Sequence, residues 1–358
     1  MMEFSLKEVA KQFNVDINIE SYGNGHINDT YLCETSPRYI LQRINTKVFK
    51  NPKEVMDNIF GVTEHLKKKI QAQGGDVERE TLNVIKTCDG ENLYKFDDDN
   101  YFRMYKFVED TVSYDVVEDP IQLYFAGKAF GKFQNMLDDY SADKLFETIV
   151  DFHNTPERVR QLEEAIQNNA AGRLDSVKEE VEFALRYAKY APTITDEMAK
   201  GTVPLRVTHN DTKLNNVLFD KDTGEGICVI DLDTVMPGSV LYDFGDALRF
   251  GASSGEEDER DLDKIWFDME KFEQFAKGFL GETAKCLTQK EIELLPVSAL
   301  MMTYECGIRF LADYLNGDTY FKTHRKDQNL DRVRTHIKLV KDIESKLDDM
   351  KKIIEKYI

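Results

Sequence analysis

Cysteine is scarce in this chain and never clustered. The five thiols, Cys33, Cys88, Cys228, Cys286 and Cys306, are odd in number, and none lies closer than 20 residues to the next. That excludes a disulfide framework and a Cys-x-x-Cys zinc site. Positive charge is also short: 47 Lys and Arg against 66 Asp and Glu give a formal charge of -19. Such a balance argues against nucleic acid or an anionic membrane as partner, leaving room only for a local basic pocket around a phosphate. No apolar run approaches the roughly 18 residues needed to cross a bilayer. Met1-Met2-Glu3-Phe4 lacks the basic and then apolar run of a signal peptide. A soluble, cytoplasmic protein with reduced thiols, monomeric or weakly dimeric, is the expectation.

What is present is a globular composition, 41% hydrophobic over 358 residues, long enough that two lobes are expected rather than one core. Residues 5 to 16 have the spacing of a short amphipathic helix, with Ser5 as N-cap and Leu6, Val9 and Phe13 on one side. Strand patterns follow at 17–22, 29–34 and 38–44, then a helix over 52–70, then strands near 81–86, 93–96 and 101–107. Between the first two strands, Gly23 and Gly25 would let backbone N–H groups approach a phosphate, although an ordinary hairpin turn is the plainer reading of two glycines. His26 in the same loop has the same two readings.

From Pro120 the pattern is helical. Helices are expected at 121–137, 157–169, 173–190, 266–280, 289–315 and 329–357, with Thr155 as N-cap ahead of Pro156. Gly127 and Gly131, four apart, read as a close-packing detail, and the charged run 255–263 as a solvated loop. The domain expectation is a lobe over 1–106, a connection at 107–111 and a helical lobe over 112–358 carrying a hairpin at 207–234.

That hairpin holds the strongest chemical signal. His209-Asn-Asp211 ends an apolar strand, Asn216 follows five residues after Asp211, and the strand Val217-Leu-Phe219, a turn and Ile227-Cys-Val-Ile230 return to Asp231. An acid, an amide and a second acid around a tight hairpin suit phosphoryl transfer: one carboxylate accepts the substrate hydroxyl's proton, while the amide oxygen and other carboxylate hold Mg²⁺ on nucleotide phosphates. Asp and Asn are also common turn formers, but the joint pattern favours the kinase reading.

On these residues the chain resembles the aminoglycoside phosphotransferase and choline kinase-like superfamily. The resemblance implies an α+β, two-lobed, protein-kinase-like fold with a small β-rich N-lobe and a larger, mainly helical C-lobe. By it, Tyr22 to Tyr31 sits where the nucleotide loop belongs, Tyr39 to Asn45 where strand three belongs, and Lys106 to Glu109 at the hinge. ATP and Mg²⁺ are the implied cofactors. Asp211 is the implied base, Asn216 and Asp231 the implied metal ligands, and Gly23, Gly25, Arg43, Lys106 and Val108 the nucleotide contacts. Asp243-Phe-Gly245 imitates a kinase metal triplet but stands 32 residues from Asp211, so it is read as structural. Strand three carries Gln42 and Arg43 where the superfamily usually has lysine.

Within the superfamily, the wording of 209–216, 231–238 and 242–249 is similar to the N-acetylhexosamine 1-kinases, which phosphorylate the anomeric hydroxyl of N-acetylglucosamine or N-acetylgalactosamine. This resemblance implies a sugar site formed by His26, Asp211, Thr234, Phe250, Arg309 and Tyr320. Other acceptors used on such a scaffold are choline, homoserine or an aminoglycoside; a pseudokinase binding module is the alternative outside enzymes.

Overall fold

The apolar alternation of the first hundred residues does build a sheet. A computed structural model describes residues 5–17, 19–23 and 27–358; Gly25 and His26 therefore lie outside the described residues. In chain order the elements begin with α1 (Leu6–Lys11), β1 (Ile19–Ser21), β2 (Asp29–Cys33), β3 (Tyr39–Asn45), α2 (Pro52–Ala72), β4 (Val84–Ile85), β5 (Tyr94–Lys95), β6 (Asn100–Lys106) and β7 (Thr111–Val112). They continue with α3 (Pro120–Met136), α4 (Thr155–Asn168), α5 (Lys178–Tyr187), α6 (Thr193–Ala199), β8 (Arg206–Thr208), β9 (Val217–Asp220), β10 (Gly226–Val229) and β11 (Met236–Gly238). The chain closes with α7 (Val240–Gly251), α8 (Met269–Thr283), α9 (Gln289–Asn316) and α10 (Gln328–Ile354).

Packing divides the chain into two compact units that interleave along the sequence. The first takes Met1–Ser113, Met136–Val150 and Asn216–Pro237; the second takes Tyr114–Asn135, Asp151–Asn215 and Gly238–Ile358. In the first unit an antiparallel sheet runs β1-β2-β3-β6-β4, with β5 also on β6. One face of β3 and β6 presents Leu41, Phe102 and Met104 to Val9, Ala10 and Phe13, closing a small core. Because side chains alternate along a strand, Gln42 and Arg103 lie on the other face, directly opposite each other in register. A second sheet, β10-β9-β7, completes this unit.

The second unit is helical, with α9 in its core. By length and composition α9 could cross a membrane, but its apolar window is 78% buried inside the protein, so its hydrophobicity serves packing. A capping box of Thr288 and Glu291 starts α9, and Gly317 in the left-handed region ends it. The expected close-packing glycines do that job: a Cβ on Gly127 would stand 2.3 Å from the Phe275 carbonyl oxygen of α8, and one on Gly131 2.8 Å from that of Phe279.

Several local expectations change. α1 ends at Lys11, and the Ser5 side chain makes no cap bond. Asn154, not Thr155, caps α4 by accepting from the Glu157 N–H; an Asx side chain suits the N-cap, and Thr155 with Pro156 then opens the helix. The helix expected over 173–190 is a shorter α5 flanked by 3₁₀ turns at Leu174–Ser176 and Ala188–Tyr190. The strand expected near 81–86 shrinks to two residues. α6 and α7 were not anticipated.

Candidate active site

The Asp211 loop belongs to the second unit and is organised by buried carboxylates. β8 delivers the chain to His209, after which Asn210 turns with φ 64°, a left-handed backbone. Asn tolerates that region better than most residues, and such strain concentrates where geometry matters. The strain is held from α7: Asp243, 1% exposed, accepts from the backbone N–H of His209 at 2.9 Å and of Asn210 at 2.7 Å, and from Gln134. Thr212 donates its N–H to Asp246 at 3.1 Å and its hydroxyl to the Asp243 carbonyl at 2.6 Å. Asp243-Phe-Gly245 thus lies within a helix, and its acid secures the loop. Gly245 lets α7 press onto α9, since a Cβ there would meet the Ser298 carbonyl oxygen at 2.4 Å.

His153 supports the loop from a further side, bonding the Asn210 carbonyl at 3.0 Å and the Glu305 carboxylate at 2.8 Å. Burial works against the charged imidazole, but Glu305 outweighs it and raises the His153 pKa. One helical turn beyond Glu305, the Arg309 guanidinium stands 5.6 Å from the Phe152 and Phe321 ring centres and 6.0 Å from that of Tyr320.

Asp211 itself is 23% exposed in its side chain and pairs with Lys213 at 2.8 Å. Burial alone would raise its carboxyl, yet Lys213, with lesser help from His209 and Arg249, holds it below the ordinary carboxylate range. It is therefore ionised throughout the neutral range and able to accept a proton. Lys213 was not singled out from sequence, although its spacing two residues after the acid was a usable signal.

Asn216 and Asp231 belong to the first unit. β9 and β10 pair Val217 with Val229, and the Ile230 N–H donates to the Asn216 carbonyl at 2.9 Å, so the hairpin brings the amide and the second acid to one end. Asn216 is 7% exposed. Asp231 is exposed and left-handed, with φ 57° and ψ 58°. Two oxygen donors on adjacent strand ends fit a hard cation such as Mg²⁺. Behind them Asp233 pairs with Arg103 and accepts from Asn28, while buried Asn58 donates to the Val235 carbonyl at 2.9 Å.

The remaining sequence candidates fall as follows. Gly23 has φ 72°, which only glycine adopts freely. Arg43 is held in a pair with Asp29 and donates to Asn100 at 3.0 Å. Lys106 pairs with Glu78, and buried Val108 accepts from the Thr111 hydroxyl at 2.9 Å. Thr234 is buried in the turn after Asp231, Phe250 is half-buried near the end of α7, and Tyr320 is 66% exposed.

Among the described residues, Glu257, Cys306 and His336 bring three further potential ligand atoms within 4.8 Å of one another. Arg249 donates to Glu257 at 3.0 Å and Arg332 approaches it at 3.6 Å. A cation there would face two guanidinium groups, so the cluster reads as an internally compensated part of the helical unit.

A family model described as the phosphotransferase enzyme family matches residues 18–275. Among solved structures, an aminoglycoside phosphotransferase from Alicyclobacillus acidocaldarius subsp. acidocaldarius DSM 446 is similar at TM-score 0.63 and 13% identity, covering 99% of this chain and 98% of the other. A microcompartment-associated aminopropanol kinase gives 0.57 and 15%, over 96% and 97%. An amicoumacin kinase, solved with AMP-PNP, Ca²⁺ and Ami, gives 0.60 and 14%, over 96% and 94%. At such identities the likeness concerns the fold, which is the kinase-like α+β fold expected from sequence.

Proposed function

The chain belongs to the phosphotransferase enzyme family, and from that premise we propose that it transfers the γ-phosphoryl group of ATP to the anomeric hydroxyl of an N-acetylhexosamine, giving the sugar 1-phosphate and ADP. The observation that carries the chemistry is Asp211, paired with Lys213 at 2.8 Å on a loop fixed by buried acids, followed in sequence by Asn216 and Asp231 at one end of the β9–β10 hairpin. Asp211 takes the proton from the C1 hydroxyl as its oxygen bonds to the γ-phosphorus; the bond from that phosphorus to the β,γ-bridging oxygen breaks, and ADP leaves. Lys213 offsets negative charge beside the base. Asn216 and Asp231 would hold Mg²⁺, which neutralises phosphate charge when bound. Nucleotide contacts at Gly23, Gly25, Lys106 and Val108 form part of this reading, as does a cytoplasmic location, which suits five free thiols.

The acceptor class rests on charge. Arg309 lies among Phe152, Tyr320 and Phe321, and after burial its positive charge is the next cause that lowers the pKa of half-buried Arg158. Aromatic rings already facing a guanidinium suit a quaternary ammonium or a polycationic aminoglycoside poorly. A neutral sugar can use the ring faces and the N–H donors together. ADP release with N-acetylglucosamine, N-acetylgalactosamine, choline and kanamycin as acceptors tests this. Turnover confined to the two amino sugars is expected; turnover on choline or kanamycin alone would replace the sugar with a cationic acceptor, and none with either amino sugar would defeat the sugar assignment.

A further inference from the structure

Asp233 stands two residues beyond Asp231, nearly buried, and the first sheet occupies both of its oxygens: Arg103 takes one and Asn28 the other. Arg103 is 1% exposed and is itself held, its Nε donating to the Gln42 Oε1 at 3.0 Å. Gln42 in turn donates to the Thr30 hydroxyl at 3.0 Å. Thr30, Gln42 and Arg103 are register partners across β2, β3 and β6. A polar relay therefore crosses three strands and ends on the turn that carries Asp231. Asn28 extends it, since its Oδ1 accepts from the Asn45 N–H at 3.0 Å.

We propose that Arg103 is a positioning residue for the metal-bearing turn: by holding Asp233 against the sheet it fixes where Asp231 presents its carboxylate, and it keeps the Asp233 charge from competing for the metal. A buried ion pair contributes little net stability compared with apolar residues of the same volume, so stability alone gives little reason for a guanidinium here. Location does. The Asp231 backbone is left-handed and exposed, and a turn of that kind keeps its conformation only when its surroundings over-determine it. Both of its flanks supply this, Ile230 through its backbone N–H to the Asn216 carbonyl and Asp233 through its side chain on Arg103. The inference rests on the assignment of Asp231 as a metal ligand.

The test is Mn²⁺ binding to the ADP complex of the full chain, followed by electron paramagnetic resonance, with Arg103→Lys and Gln42→Met. Arg103→Lys keeps the charge but loses the planar fork that spans Gln42 and Asp233. Mn–ADP affinity should fall about 10-fold or more, as for other residues that orient a metal ligand, with kcat falling alongside and acceptor KM unchanged. Gln42→Met leaves the Arg103–Asp233 pair in place and should shift affinity in the same direction by less. If Arg103→Lys does not fold, Gln42→Met decides alone. Folded variants that bind Mn–ADP as tightly as wild type overturn the proposal. Because Mn–ADP binding needs no acceptor, a wild type that binds it yet phosphorylates no sugar defeats the acceptor assignment without touching this one.

Discussion

The loop around Asp211 and the turn around Asp231 solve the same problem with opposite charges. Each carries a left-handed non-glycine residue, Asn210 or Asp231, and each must hold a carboxylate steady. In the loop, buried acids from α7 accept backbone N–H groups, so anions organise backbone. In the turn, a buried guanidinium from β6 neutralises a neighbouring acid, so a cation organises side chains. The difference fits the roles proposed for the two acids, a base at Asp211 and a metal ligand at Asp231. A base needs a fixed path and an ionised carboxylate, which backbone bonds and Lys213 provide. A metal ligand needs neighbours that do not compete for the metal, which pairing Asp233 with Arg103 provides.

The largest expected separation comes from exchanging each acid for its amide. Asp211→Asn should lower kcat by about 10²–10⁴ with nucleotide affinity nearly unchanged, whereas Asp231→Asn should also raise the Mg²⁺ concentration needed for half activity. Initial rates over a Mg²⁺ series check this, and equal Mg²⁺ responses in the two variants would erase the distinction.

Next is the loop's own anchor. Asp243→Ala leaves two buried N–H groups unmatched, each costing roughly 1–3 kcal/mol, so urea unfolding should register the loss. A fully stable variant would mean that the loop does not depend on α7.

A smaller effect is expected at Arg309→Gln. Acceptor KM should rise by about 10-fold, the loss of a charge-assisted bond, with kcat for ATP turnover changing little. A fall in kcat at constant KM would move Arg309 from recognition to support of the loop through Glu305.

The smallest is a pH effect. His153 has a raised folded pKa, so its contribution is fully present below the ordinary 6.5 and is lost as pH rises through the folded value. Glu305 has a lowered one, so its contribution is present above the ordinary 4.5 and is lost as pH falls through its folded value. The stability gap between wild type and His153→Gln should therefore be widest between those two ordinary values. Denaturation midpoints across pH would show it, and a gap that widens above neutral pH would contradict the pairing.

Much of this was legible in the sequence because the spacing of His209, Asp211, Asn216 and Asp231 on strand, turn and strand admits few geometries. The sheet and the long helices were legible from periodicity. α7 was not, although Asp243, Asp246 and Arg249 recur every three residues in an otherwise apolar segment and give Val240–Gly251 a helical period; the Asp-Phe-Gly triplet draws attention as a motif instead, and the polar stripe turns out buried. Arg103 was hidden for a related reason. A lone arginine in an apolar strand reads as solvent-facing, and its partner Asp233 lies 130 residues away in sequence. Caps such as Asn154 were lost to a neighbour, because Thr155 ahead of Pro156 satisfies the same sequence rule.

The central claim, transfer to the anomeric oxygen of an N-acetylhexosamine, is tested most directly by ³¹P NMR of the product made from ATP and each amino sugar. A phosphomonoester resonance coupled to the anomeric proton is the predicted result. Phosphorus coupled to any other sugar proton, or ATP left intact beside both sugars, would contradict it.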